Sequence, residues 1–500
     1  MVTSPSSGVS NGISFEYDPT RRLRRIEYDD GKRINYNYTG RDLTSVEDES
    51  GIITNYDYCE SCGKMTSVTE PMGRVISWLL DGDFGITEFT DSRGGKTQYQ
   101  NGDLGELKFM EYPDGLDFMY SYADGGGVKR INMNTSAGCI RYGYDARRRL
   151  SGVNIQCSGG SDVMSFGYRA DDTLSSVVDQ VGTRTIGYNV DRSVSYVEGD
   201  YNISGVVPLQ RVEYGYNPDG SIDFILWKSG GVQVARWDYG YDLSGNVISV
   251  NNSFGESVSY EYDGENKVVK ETRSNGTEVR TSYNETRDWT TSYRHLSGGT
   301  EFSRYDLTYD GGLNTTGNLT GVVESGSVQG SSTVAYQYDQ LSRLISEVRT
   351  GVGSYTRTYE YDLSGNVTKV GTGFGGAGGA NQNFATYDLS NKISSISGGS
   401  RSHNFLGGIT AATVPATYSG GVPSGGALTF SGYSYNVLGK LTSGGGETVR
   451  YTAEGLRGAV KPNSTSPFTV LIYAGERVIG EVSSSGGAVA YTWGPTGIVS

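Results

Sequence analysis

The heptapeptide YDLSGNV occupies residues 241–247 and returns without change at 361–367. Its order is a strand end, a tight corner and the first residue of a new strand. Asp bonds its own following backbone, and Gly accepts a positive φ. A β-branched Val then suits extended chain. Looser copies share the same frame, a tyrosine with an apolar or aromatic residue six positions later. They are YDPTRRL at 17–23, YADGGGV at 122–128, YDARRRL at 144–150, YRADDTL at 168–174 and YNVDRSV at 188–194. YNPDGSI follows at 216–222, YDGENKV at 262–268, YNETRDW at 283–289, YDQLSRL at 338–344, YDLSNKI at 387–393 and YNVLGKL at 435–441. Tyr38 leads a copy one residue short, and Tyr58 leads YCESCGKM, one residue long. Trp78 is read as standing in for the tyrosine and Tyr99 as continuing the series. The steps from Tyr17 to Tyr38, Tyr58, Trp78 and Tyr99 are then 21, 20, 20 and 21 residues.

Many copies carry a second aromatic two residues earlier, as Tyr36, Tyr142, Phe166, Tyr214, Tyr260 and Tyr359 do. A spacing of two puts both rings on one face of a strand. Each repeat of about 21 residues therefore reads as strand, turn, strand, turn. One such hairpin is marginal alone, but stacked hairpins bury one another's aromatic rows and protect their edges. The predicted fold is all-β, a tandem array of hairpins. Tyr17, Tyr38, Tyr144, Tyr168, Tyr216, Tyr241, Tyr262, Tyr338, Tyr361, Tyr387 and Tyr435 are its expected structural anchors. A propeller with two hairpins per blade gives the same count and stays open as an alternative.

Composition supports a folded β object. The 500 residues include 74 Gly, 38 Tyr and only 11 Pro, and disordered chains lack aromatics. A net charge of −14 makes nucleic acid and anionic membrane poor default partners. No apolar run reaches the roughly 18–20 residues of a membrane-spanning helix, so membrane insertion is not expected. The opening MVTSPSSGVSNG has neither a basic nor an apolar leader region.

The corners resemble those of RHS, or YD-repeat, proteins. The likeness rests on Tyr-Asp, the turn, and a Gly/Ser–Arg/Lys/Asn–Leu/Val ending, as in Gln340-Leu341-Ser342-Arg343-Leu344. The linking phrases LTSVEDESGIITNYDY at 43–58, MTSVTEPMGRVISW at 65–78 and VISVNNSFGESVSYEYD at 247–263 resemble that family too. The resemblance covers nearly the whole chain. It implies a spiral β-sheet that closes as a hollow shell, often followed in bacterial members by a variable toxin segment. FTVLIYAGERVIGEVSSSGGAVAYTWGPTG at 468–497 resembles the stretch before the family's core. The His-x-Asp-His-Leu-Gly and Asp-Pro-x-Gly phrases that typically follow are not in the sequence. We accordingly expect a repeat region at 1–467 and the beginning of a core-proximal segment, cut short, at 468–500. An extracellular or cell-surface setting is expected; non-classical export, a fragment whose signal has been removed and a cytosolic protein all stay open from the opening residues. Implied partners are a C-terminal cargo polypeptide or companion shell protein, or a glycan or cell-surface receptor.

Candidates for chemistry are few. His295 and His403 have no partner pattern and are expected in loops, not as general bases. Cys59 and Cys62 have CxxC spacing, which suits a disulfide or half a metal site. They fall in a repeat corner, which favours a structural role, and Cys139 and Cys157 show no second CxxC. GTGFGGAGG at 371–379 lacks the strand–helix context of a phosphate loop and reads as a flexible inter-strand loop. VPATYSGGVPSGGALTF at 414–430 reads as an extended loop. Carboxylates such as Asp114, Asp171, Asp172 and Asp263 recur at corners, which favours turn capping over a glycosidase pair. The basic runs at 21–25 and 147–149 read as solvated strand surface. No cofactor is implied. A non-enzymatic scaffold that encloses or displays a polypeptide is the leading function. A carbohydrate- or receptor-binding module and a polysaccharide hydrolase are the alternatives.

Overall fold

The computed structural model describes residues 13–498 except 134–138, 156–161, 202–206, 286, 311–316, 329, 375–381, 384, 397–398, 404–408, 420–421, 436–439 and 445. Among the described residues the only helical element is the 3-10 turn Pro71–Gly73; the rest of the regular structure is strand. The chain divides into two bodies. One comprises 1–117, 279–401 and 413–428, and the other 118–278, 402–412 and 429–500.

In the first body each strand pairs antiparallel with its successor from Ile13–Tyr17 to Leu107–Glu111. The same holds from Thr290–Ser297 to Gln382–Asn383. In the second body the ladder runs from Asp117–Tyr122 to Val268–Arg273. It resumes from Ser434–Tyr435 to Ala488–Ala490. The fold is thus a long antiparallel meander of hairpins, as the tyrosine spacing predicts.

The core of the second body forms where its late hairpins cover its earlier ones. Trp227, Trp237, Val250 and Val258 pack with Val470, Ile472 and Ile479. Burying an indole requires a partner for its N–H. Trp227 Nε1 donates to buried Gln210 at 2.9 Å, and Trp237 Nε1 to Thr492 at 3.3 Å. Gly480 lets the backbone approach Trp227, since a Cβ there would lie 2.3 Å from the indole.

Three local expectations are corrected. Residues 414–430 are not an extended loop: Ile409–Ser419 and Val422–Phe430 are strands. The β-branched Ile409, Thr410, Thr413, Val414 and Thr417 outweigh the glycines and prolines. In the glycine run, residues 371–374 complete strand Val367–Phe374, and 375–379 lie outside the described residues. The two histidines are on strands, Thr290–Ser297 and Gly399–His403. A Gly298-Gly299 turn lets a long hairpin carry His295, whose ring sits 6.2 Å from Phe302 and 6.1 Å from Tyr305.

Candidate functional site

The recurring site is the corner itself. In YDLSGNV the ladder slips by one residue between Gly240 and Tyr241, and Tyr241 faces Val247. The Asp242 N–H donates to the Asn246 carbonyl at 3.0 Å, and the Gly245 N–H returns to the Asp242 carbonyl at 3.1 Å. This is a three-residue hairpin loop closed by a left-handed residue. That residue is Gly245 (φ 85°) here and Gly365 (φ 90°) in the second copy. Arg21, Arg148, Arg192, Ser342 and Asn391 adopt φ of 56–70° at the same position. The left-handed requirement therefore belongs to the corner and not to glycine.

The aspartate offsets that strain. Asp242 Oδ1 accepts the N–H groups of Ser244 and Asn246, both at 2.9 Å. Asp18, Asp145, Asp263, Asp339, Asp362 and Asp388 cap their own corners with the same offsets. Hydrogen bonds to the charged form hold the carboxyls of Asp18, Asp145 and Asp242 below the usual range. The residue four beyond the aspartate also reaches back. Arg22, Arg149 and Arg343 bond the other oxygen of Asp18, Asp145 and Asp339 at 2.7–2.8 Å.

The tyrosine then ties one hairpin to the one before it. Its hydroxyl donates to a backbone carbonyl at the start of an earlier strand. The pairs are Tyr38 to Leu23, Tyr144 to Val128, Tyr168 to Leu150, Tyr216 to Val194 and Tyr241 to Ile222. Tyr262 bonds Val247, Tyr338 bonds Leu319, Tyr361 bonds Leu344, Tyr387 bonds Val367 and Tyr435 bonds Ile409. Oxygen–oxygen distances across these ten pairs are 2.7–3.1 Å. Tyr17 keeps the corner register opposite Leu23 and is 54% exposed.

Two basic runs gain a role that their charge alone did not suggest. The guanidinium of Arg22 lies over the ring of Tyr38 at 4.2 Å, Arg149 over Tyr168 at 4.5 Å, and Arg343 over Tyr361 at 4.7 Å. The expectation of solvated strand surface is therefore wrong for Arg22 and Arg149. Corner geometry places that side chain between its own aspartate and the next tyrosine. Where the position holds Asn, the relay is shorter. Asn246 Nδ2 bonds Asp242 and Asn266, and Asn366 Nδ2 bonds Asp362 and Asn391.

Trp78 and Tyr99 are not anchors. The ladder slip falls between Leu79 and Leu80, with Leu80 opposite Ile86, and Asn101 holds the next corner opposite Leu107. Trp78 and Tyr99 occupy the position two residues earlier. Strand alternation puts both positions on one face, so spacing alone cannot distinguish them. The tyrosine spacing does not reveal Tyr309, Tyr451 and Tyr473, whose hydroxyls bond Thr290, Leu441 and Arg457. Tyr309 leads a longer loop, to Leu319. Tyr451 has Arg457 where an apolar residue was required, and Tyr473 pairs with Val478 one residue early.

Cys59 and Cys62 are joined in a disulfide at the corner of Tyr58. Cys139 is also disulfide-bonded, and Cys157 lies outside the described residues. No group of three or more His, Cys, Asp or Glu among the described residues could hold a metal ion.

Residues 209–358 match the family model described as teneurin YD-shell. The repeats and their Tyr-Asp corners extend on both sides of that segment. Over that segment the chain is similar to a YD-shell. Its fold is that of the crystal structure of TcdB2-TccC3, with a TM-score of 0.68 and 14% identity over 97% of this chain and 31% of that one. TcdB2-TccC3 without its hypervariable C-terminal region matches at 0.67 and 13%, over 97% of this chain and 30% of that one. A Photorhabdus luminescens Tc holotoxin pore carrying a TccC3 mutation matches at 0.66 and 14%, over 97% and 27%. The chain spans about a third of the length of the first of those structures. No curated protein matches it.

Proposed function

We propose that this chain is a non-enzymatic wall: a scaffold segment of a secreted, toxin-associated assembly that encloses or displays a polypeptide. The observation that carries this reading is the use made of the polar groups that recur along the chain. The tyrosine hydroxyls link hairpins, the corner aspartates cap turns, and the corner arginines bridge the two. These roles account for the repeated residues as construction. The carboxylates that recur with the repeat are the ones engaged in holding corners.

A companion wall protein is the partner that the corners favour. At 361–367 the corner is covered by another hairpin turn of the first body. Ser92 Oγ donates to the Leu363 carbonyl at 2.7 Å, and Arg93 pairs with Asp362 at 3.3 Å. Nearby, Asp114 receives Lys392, and its N–H bonds Ser390. The identical corner at 241–247 is bare, with Leu243 109% exposed against 45% for Leu363. We read the bare corners as a surface for hairpin turns of a second YD-repeat ribbon.

Enclosure is tested by fusing a protease-labile reporter after Ser500 and following its digestion alone and with a co-expressed companion wall protein. A wall predicts that the reporter is cut much more slowly than in free form while the chain stays intact. Digestion at the free rate under both conditions refutes enclosure.

A further inference from the structure

One pair of corners in the first body departs from the rule twice over. At the corner of Leu80 the aspartate is kept. Asp81 Oδ1 accepts the N–H groups of Asp83 at 3.0 Å and Gly85 at 2.7 Å. The position that elsewhere holds Arg22, Arg149 or Arg343 is Gly85, and the next corner residue is Asn101 instead of tyrosine. Both the arginine and the ring it covers are missing. The corner of Tyr122 also has glycine there, but the following tyrosine fills the space. A Cβ on Gly127 would lie 2.9 Å from the Tyr144 ring. A Cβ on Gly85 would meet only the side-chain ends of Asn101, at 2.8 Å, and Asp81 Oδ2, at 2.9 Å.

Asn101 preserves the backbone link without the volume. Its Nδ2 donates to the Ile86 carbonyl at 3.1 Å, the role that the tyrosine hydroxyl plays at other corners. What remains is a cleft of about 900 Å³. Trp78, Phe89 and Tyr99 supply aromatic walls, and Asp81, Asp83 and Asp103 supply carboxylates. No Lys, Arg or His lines it. Among the described residues no cation pairs with Asp81.

We propose that this cleft binds an arginine side chain of an extended polypeptide. The guanidinium takes the place that the corner arginines take against their aspartate, here Asp81 Oδ2, with Trp78, Phe89 and Tyr99 as the aromatic walls in place of the missing corner ring. The structure supplies the precedent at Asp18–Arg22–Tyr38 and Asp145–Arg149–Tyr168. Arginine is favoured over lysine because its planar fork both pairs with a carboxylate and stacks on a ring. Exposed Asp83 and Asp103 add attraction that salt screens.

The test is calorimetric titration of the purified chain with an acetylated Gly-Arg-Gly peptide, alongside its lysine and citrulline counterparts. Citrulline keeps the shape and removes the charge, so it should bind at least about tenfold more weakly. Two variants fill the cleft from within: Gly85→Arg restores the missing arginine, and Asn101→Tyr restores the missing ring. Each should lower affinity for the arginine peptide at least about tenfold, with no loss of thermal stability. Asp103→Asn, at the exposed rim, should weaken binding about threefold and flatten its salt dependence. The proposal is overturned if the wild-type chain does not bind the arginine peptide at millimolar concentration. Equal binding of the citrulline peptide overturns it too, as does wild-type affinity in a folded Gly85→Arg chain. Should Gly85→Arg not fold, unchanged affinity in both Asn101→Tyr and Asp103→Asn overturns it.

Discussion

The two copies of YDLSGNV permit a comparison in which local sequence is constant. Replace Asp242 or Asp362 with alanine. Asp242 accepts from Ser244 N, Asn246 N and Asn246 Nδ2 at 2.9, 2.9 and 3.0 Å. Asp362 accepts from Ser364 N, Asn366 N and Asn366 Nδ2 at the same three distances. Loss of such a cap costs about 1–2 kcal/mol. Asp362 has one further partner, the Arg93 guanidinium at 3.3 Å, and the two side chains are only 18% and 20% exposed. A pair that far removed from solvent adds about 1 kcal/mol. Native-state hydrogen exchange of the Asn246 and Asn366 amides reads each corner locally. Asp362→Ala should accelerate exchange at its corner about fivefold more than Asp242→Ala does at its own. In an Arg93→Met background that excess should vanish. Equal costs in the wild-type background, or an excess that survives without Arg93, refutes the reasoning.

Other outcomes follow from the same geometry. Tyr241→Phe and Tyr361→Phe each remove one hydroxyl donor to a backbone carbonyl while keeping the ring, and should cost about 1 kcal/mol by denaturant unfolding; no change at either site would deny the hydroxyl a structural role. Burial pushes Tyr214 and Tyr239 up to about 12 from 10.0. Their folded values are raised, so the stability they contribute is full below pH 10 and lost as pH rises from 10 toward 12. Unfolding midpoints against pH, with tyrosinate absorbance, should show that fall, and native titration of every phenol at 10 would contradict it. The Cys59–Cys62 bridge closes a sequence separation of only 3, so replacing both with serine should lower stability by about 2 kcal/mol or less. Chelators should leave the folded state unchanged in circular dichroism; tightly bound zinc lost together with β structure would reverse that expectation.

Sequence alone determined the hairpin, the corner and the repeat. These depend on near neighbours: strand alternation, an aspartate within reach of its own backbone, and a left-handed residue at a fixed offset. Both copies of YDLSGNV therefore fold alike. The sequence also placed eleven of the tyrosines that bond backward, Tyr188 to Leu174 among them, because their ring, turn and apolar residue lie within seven positions. It could not separate Leu80 from Trp78 as a corner, since positions two apart share a face. Nor could it show that Arg22 reaches Tyr38, because corner arginines and surface arginines have the same composition. What covers each corner was settled only in three dimensions. Arg93 meets Asp362 from 269 residues away in sequence (362 minus 93), and Leu363 is half covered while Leu243 stands bare. Local bonding fixes the shape of a corner, but its surroundings depend on how far the accumulated twist and bend of many hairpins carry the chain before another turn arrives beside it, and no single repeat contains that sum.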